Sequence, residues 1–142
     1  MTTRRARRQS ALDNDERILD TAMAVACDVG LDRLTVSAVA SLAGFTSGAV
    51  YARYDDREEL LVALWEHRAA ASLERFIHEV GTLRRSGDAA ARADVVRWVT
   101  DPPLGLQLAI ETCLVAHRID ALDEVVPRAV HEWLARLGLA RV

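Results

Sequence analysis

The chain of 142 residues has no lysine, one asparagine (Asn14), three prolines and two cysteines. Each scarcity closes off a class of protein. Cys27 and Cys113 stand apart, with no CxxC or Cys/His spacing, which excludes a disulfide framework and argues against a zinc site. Such cysteine usage predicts a reducing, cytoplasmic setting. No window of eighteen apolar residues occurs, so no membrane span is expected. The opening Met1-Thr2-Thr3-Arg4-Arg5 leads into polar sequence, unlike the apolar core of a secretory signal. His67, His78, His117 and His131 lack the i, i+4 pairing of a helical metal site. No Ser/His/Asp set, catalytic carboxylate pair or phosphate loop is present. The sequence therefore predicts no catalytic residue, no metal and no cofactor.

What the chain does have is apolar surface and arginine. Apolar residues make up 51% of it, enough for one buried core, and the length leaves no room for two. A net charge of −3 taken alone argues weakly against a nucleic-acid partner, but the distribution matters more than the sum. Arg4, Arg5, Arg7 and Arg8 crowd the first eight residues with no acid among them. Every basic residue is arginine, which together with abundant alanine points to a GC-rich coding bias more than to a need for guanidinium.

Apolar residues recur at intervals of three and four from end to end, and no strand-period run survives, so the fold reads as all-α. Ile18, Ala22, Val25 and Val29 form the inner face of a first helix, capped by Asp13 or Asp15 and stopped at Gly30. Thr35 is placed to cap a short second helix carrying Val36, Val39, Ala40 and Ala43, with Gly44 at its end. Thr46 caps a third running to about Tyr54. Asp56 caps a long fourth, with Leu60, Leu61, Leu64 and Trp65, expected to reach Val80 before Gly81. Arg84 to Asp88 reads as a loop. Helices near Ala89–Val99 and Leu104–His117 follow, then one over Asp120–Leu137 that Pro127 must kink or split.

The pair of short helices between Thr35 and Tyr54 is the informative feature. Two such helices joined by a tight turn with glycine form a helix-turn-helix. Ala40 and Ala43 are small where the helices must approach steeply, Gly44 permits a left-handed turn, and Val50 is placed to pack back on Val39. Thr46, Ser47, Gly48, Ala49, Tyr51 and Arg53 are left for the outer faces of the third helix. A helix end so small and hydroxylic can approach the floor of a major groove.

Across Ile18-Leu19-Asp20-Thr21-Ala22, Gly30-Leu31-Asp32-Arg33-Leu34-Thr35-Val36, Val39 through Tyr51, Tyr54 and Arg57-Glu58-Glu59-Leu60-Leu61, the sequence resembles the TetR/AcrR family of bacterial transcriptional regulators. The likeness runs without gaps over about residues 15–65, and the rest matches only as a helical domain. It implies a flexible arginine-rich arm over residues 1–12, a three-helix DNA-binding head over 13–57, and a helical ligand-binding and dimerisation domain over 58–142. Thr35 would touch a backbone phosphate, Thr46, Ser47, Gly48 and Ala49 would front the recognition helix, and Tyr51 would meet a phosphate or a thymine methyl. Arg57 would supply a basic contact to DNA at the start of the fourth helix. Arg4, Arg5, Arg7 and Arg8 have no fixed place in the family pattern, but arginines of a flexible arm can enter a narrow minor groove.

The implied protein is a cytoplasmic homodimeric regulator, most often a repressor, bound to an inverted-repeat operator of double-stranded DNA and answering to a small hydrophobic effector. Trp98, Gln107, Glu111 and His117 are the polar and aromatic candidates for lining an effector site. Three residues depart from the family pattern: Ala26 replaces a large aromatic, Arg53 replaces an aromatic or histidine and adds a base or phosphate contact, and Tyr54 replaces phenylalanine. The chain also stops at Val142, sooner than the family usually does. That implies a shortened C-terminal domain. It motivates an alternative, a heterodimer partner of a full-length regulator that binds DNA poorly alone.

Overall fold

Helices make up all the regular structure among the described residues, 2–138, of the computed structural model. The order is α1 (Thr2–Val29), α2 (Val36–Ala43), α3 (Ser47–Tyr51), α4 (Arg57–Leu64), α5 (Ala70–Ser86), α6 (Ala89–Thr100), α7 (Leu104–Val115) and α8 (Val125–Arg136). Short 3-10 turns cover Leu31–Arg33 and Ala116–Arg118, and a π-helical turn over Trp65–Ala69 joins α4 to α5. The last four residues of the expected C-terminal domain lie outside the described residues, as does Met1.

Several helix ends differ from expectation, each for a local reason. α1 starts at Thr2 and not after Asp13 or Asp15, so the stretch expected as a flexible arm is helical. Nothing from Thr3 to Arg17 breaks a helix: there is no glycine or proline, alanine, arginine, leucine and glutamine favour one, and Gln9 Nε2 donates to Asp13 Oδ1 at 2.9 Å one turn on. α3 stops at Tyr51, and residues 52–54 continue only as turns. Gly81 does not end its helix, which runs on to Ser86 and stops at Gly87, left-handed at φ 61°. Gly81 instead makes room, because a Cβ there would lie 2.7 Å from Leu137 Cδ2. The loop expected over Arg84–Asp88 therefore shrinks to Gly87 and Asp88. α8 begins at Val125, which puts Pro127 in the first turn, where its missing N–H has no intrahelical partner to lose.

One apolar core runs through the molecule. Ile18, Leu34, Val39, Val50, Leu60, Leu108 and Leu122 are fully buried in a single cluster that joins the first four helices to α7 and α8. Trp65 in the π turn stacks on Trp133 of α8, with ring centroids 6.1 Å apart. The start of α7 presses on the π turn and α5 at Gly105, where a Cβ would sit 2.8 Å from Arg68 O and 2.3 Å from Ser72 Oγ. Cys27 is half-buried and Cys113 is exposed. Both are free thiols.

Candidate nucleic-acid interface

The helix-turn-helix is set by caps made from its own residues. Thr35 is extended, and its Oγ1 accepts from Ala38 N at 3.2 Å to start α2. Gly44 closes α2 in the left-handed region at φ 78°, and Phe45 N returns to Ala40 O at 2.8 Å. Thr46 Oγ1 accepts from Ala49 N at 3.1 Å to start α3. In each cap the hydroxyl oxygen accepts, which leaves the O–H proton to donate outward. Val39, Ala40, Ala43 and Val50 are buried, as the helix-turn-helix spacing requires. With Val50 held inward, Thr46 and Gly48 are exposed, Ser47 and Ala49 half-exposed, and Tyr51 48% exposed. Tyr54 is half-buried against the core, and burial pushes its phenol above the ordinary range, with Asp15 adding to the effect.

Three arginines fasten this unit to its surroundings. Arg17 of α1 donates from Nε to Ala43 O at 3.1 Å and lies 4.6 Å from the centroid of the Phe45 ring, so it grips the turn between α2 and α3. Arg53, just past α3, pairs with Asp15 and donates to Ala11 O at 3.2 Å, tying the end of α3 to α1. Arg57 donates from Nε to Leu34 O at 2.7 Å, and from Nη2 to Leu31 O at 2.7 Å and Asp32 O at 3.1 Å. The guanidinium groups of Arg53 and Arg57, both expected at DNA, are thus engaged by the protein itself in the free chain. Arg4, Arg5, Arg7 and Arg8 are exposed on the first turns of α1. At 100° per residue they cover an arc of roughly 160° on that helix.

The four candidates for an effector site do not meet. Trp98 lies against Phe76, at 6.1 Å between centroids, and under the Arg75 guanidinium at 5.6 Å. Gln107 and Glu111 line a separate open groove of ≈ 300 Å³ between α1 and α7, with Cys27, Ile110 and Leu114. Glu111 Oε1 is engaged there, accepting from Leu31 N at 2.9 Å, and Gln107 Nε2 donates to Pro102 O at 2.8 Å. His117 is exposed on the 3-10 turn after α7. Burial raises the Cys27 thiol pKa, and the nearby Glu111 charge raises it further.

Sequence reasoning missed Arg17 and the structural use of Glu111. Arg17 precedes the buried Ile18, and its spacing of 26 residues from Ala43 leaves no trace in any local pattern. Arg68 was missed as well: it spans back to α1, pairing with Glu16 at 2.6 Å and Asp20 at 3.0 Å. Such contacts join residues far apart in the chain, where periodicity is silent.

Among the described residues no helix is long and apolar enough to cross a membrane, and no cluster of His, Cys, Asp and Glu could hold a metal ion. No curated protein and no solved structure gives a significant match to the chain. Residues 18–64, from the buried second half of α1 to the end of α4, match the family model described as bacterial regulatory proteins, tetR family. The match covers the head alone, and it supports a DNA-binding transcriptional regulator of the tetR type.

Proposed function

We propose that the chain acts as a homodimeric, ligand-responsive repressor on an inverted repeat, with α3 of each copy in a major groove. The observation that carries this reading is the outward face of α3. Thr46, Ser47, Gly48 and Ala49 are small, so the helix backbone can come close to base edges, while half-exposed Tyr51 offers a ring for a thymine methyl and a hydroxyl for phosphate. Thr35 adds an O–H at the start of α2. Arg4, Arg5, Arg7 and Arg8 provide the phosphate or minor-groove contacts, carried on a helix. Arg53 and Arg57 serve binding through the protein, by holding α3 to α1 and the turn before α2 to α4. A small hydrophobic effector bound among the later helices would favour a separation of heads that no longer fits the operator, a shift between two populations.

Selection of duplexes from a random pool by the purified chain, at about 0.15 M salt, tests the reading. The expected product is an inverted repeat with half-sites about one helical turn apart. Ser47→Ala should change the preferred bases. Paired Arg4→Ala and Arg5→Ala should weaken all sequences alike and flatten the salt dependence. Enrichment of no sequence would overturn the homodimer reading. Enrichment only on addition of a longer tetR-type chain would replace it with the heterodimer partner.

A further inference from the structure

We infer that Glu111 is a positioning residue for DNA binding, acting from α7 on the turn that leads into the helix-turn-helix. The inference rests on the DNA-binding reading above and adds a residue that lies outside the head. The turn Leu31–Arg33 begins at Gly30, which has no side chain to cap it, so the Leu31 N–H has no local acceptor. Glu111 supplies one from eighty residues away, with Oε1 2.9 Å from Leu31 N. The approach depends on a bare Cα: Gly30 sits at φ +90°, and a Cβ on it would lie 3.2 Å from the same carboxylate oxygen.

The other side of this turn is held as well. Its carbonyls at Leu31 and Asp32, with that of Leu34, accept from Arg57 of α4, and the Asp32 carboxylate pairs with Arg118 at 3.0 Å. The residue after Leu34 is Thr35, the cap of α2. Leu31 is therefore clamped at its N–H by α7 and at its C=O by α4, immediately before the helix that supports α3. Without the carboxylate a half-buried N–H is left unpaired and the turn gains other conformations. Apparent affinity then falls by the fraction of molecules whose head keeps the binding geometry. The carboxylate also borders the groove beside Cys27, so the contact stands where the later helices meet the head.

The test compares wild type, Glu111→Ala and Glu111→Gln as full chains on the duplex selected by the wild type, together with amide exchange at Leu31 read by NMR. Gln keeps an acceptor and removes the charge; Ala removes both. Glu111→Ala should bind roughly five- to tenfold more weakly, Glu111→Gln within about twofold of wild type, and the slope of affinity against salt should not change in either. The Leu31 amide should exchange faster in Glu111→Ala alone, with Val39 in the head core unchanged. Equal affinity and equal Leu31 exchange in Glu111→Ala would overturn the inference. So would equal losses in both variants, which would mean that charge and not the hydrogen bond matters, or a changed salt slope, which would mean direct contact with DNA. A wild type that selects no duplex removes the functional reading itself and the positioning role with it.

Discussion

The head, residues 18–64, and the helices after it share one core but draw their boundaries from different sources. In the head, α2, α3 and α4 each start at a side-chain cap three residues from its donor (Thr35, Thr46 and Asp56), and Gly44 ends α2. Beyond it, α5, α7 and α8 have no side-chain cap, and α6 alone has one, from Asp88. What fixes their packing is close approach between distant residues: Gly81 against Leu137, Gly105 against Ser72, Trp133 against Trp65. A unit that must present one short helix in a fixed pose gains from local encoding at every turn. The later helices follow looser local rules and leave more apolar surface open, with Val96, Val99, Ile110 and Leu114 all about half exposed or more.

The strongest challenge to this contrast is a deletion in the shared core. Leu60→Ala removes a fully buried side chain at the head's centre and should cost about 2–5 kcal/mol. All three tryptophans, Trp65, Trp98 and Trp133, lie beyond the head. If the core is one cooperative unit, the urea midpoint from tryptophan fluorescence should fall as far as that from helical circular dichroism. Two separated transitions would show that the head unfolds alone.

Next in size is Gly105→Ala, which should destabilise by about 1–3 kcal/mol through overpacking against Arg68 O, a backbone atom that cannot swing aside. Denaturation of the double variant with Ser72→Gly separates the two contacts: relief should be partial, because the carbonyl stays. Full recovery would mean that α7 shifts freely on the π turn.

Caps sharpen the comparison at about 1 kcal/mol each. Thr46→Ala and Asp88→Ala should cost similar stability, since each removes one side-chain acceptor from a helix start. Only Thr46→Ala should also weaken binding to the selected duplex. Equal effects on DNA binding would mean that α6 controls the head as strongly as its own caps do.

The smallest effect is in pH. Cys27 keeps its proton in the folded chain above the ordinary thiol pKa of 9.0, chiefly from burial and secondarily from Glu111. Since the folded state holds the proton longer than the unfolded state, this contribution is complete below pH 9.0 and is lost as pH rises towards the folded value. Urea midpoints of wild type should therefore decline more steeply than those of Cys27→Ala above that pH. Tyr54 adds a decline of the same sign to both proteins, because its phenol is also raised. Parallel curves would mean that the thiol is no better shielded in the folded chain than in the unfolded one.

The head was largely legible in the sequence because its signals are short in range. Thr35, Gly44, Thr46 and Asp56 each act on neighbours within about one turn, and burial of Val39 and Val50 follows from spacing. The start of α1 was misjudged because Asp13 and Asp15 look like caps, and nothing in a local window tells a cap from an acid inside a helix. Gly81 was misjudged for the complementary reason: glycine ends helices often, yet here it is the small residue that Leu137 needs. Arg57 shows the same limit at the site. Its type and position suggested a DNA contact, while its partners at Leu31, Asp32 and Leu34 become visible only once the chain is folded.

By itself, then, the sequence determined the helical class, the cap-and-glycine grammar of the helix-turn-helix and the residues left facing outward on α3, since these depend on backbone preferences and on a period of 3.6 residues. The tertiary structure alone decided which arginines face the protein, how Glu111 reaches Leu31, and why Gly81 lies inside its helix. Those outcomes depend on pairs of atoms brought together from distant parts of the chain, and their energies exist only when the whole core is assembled.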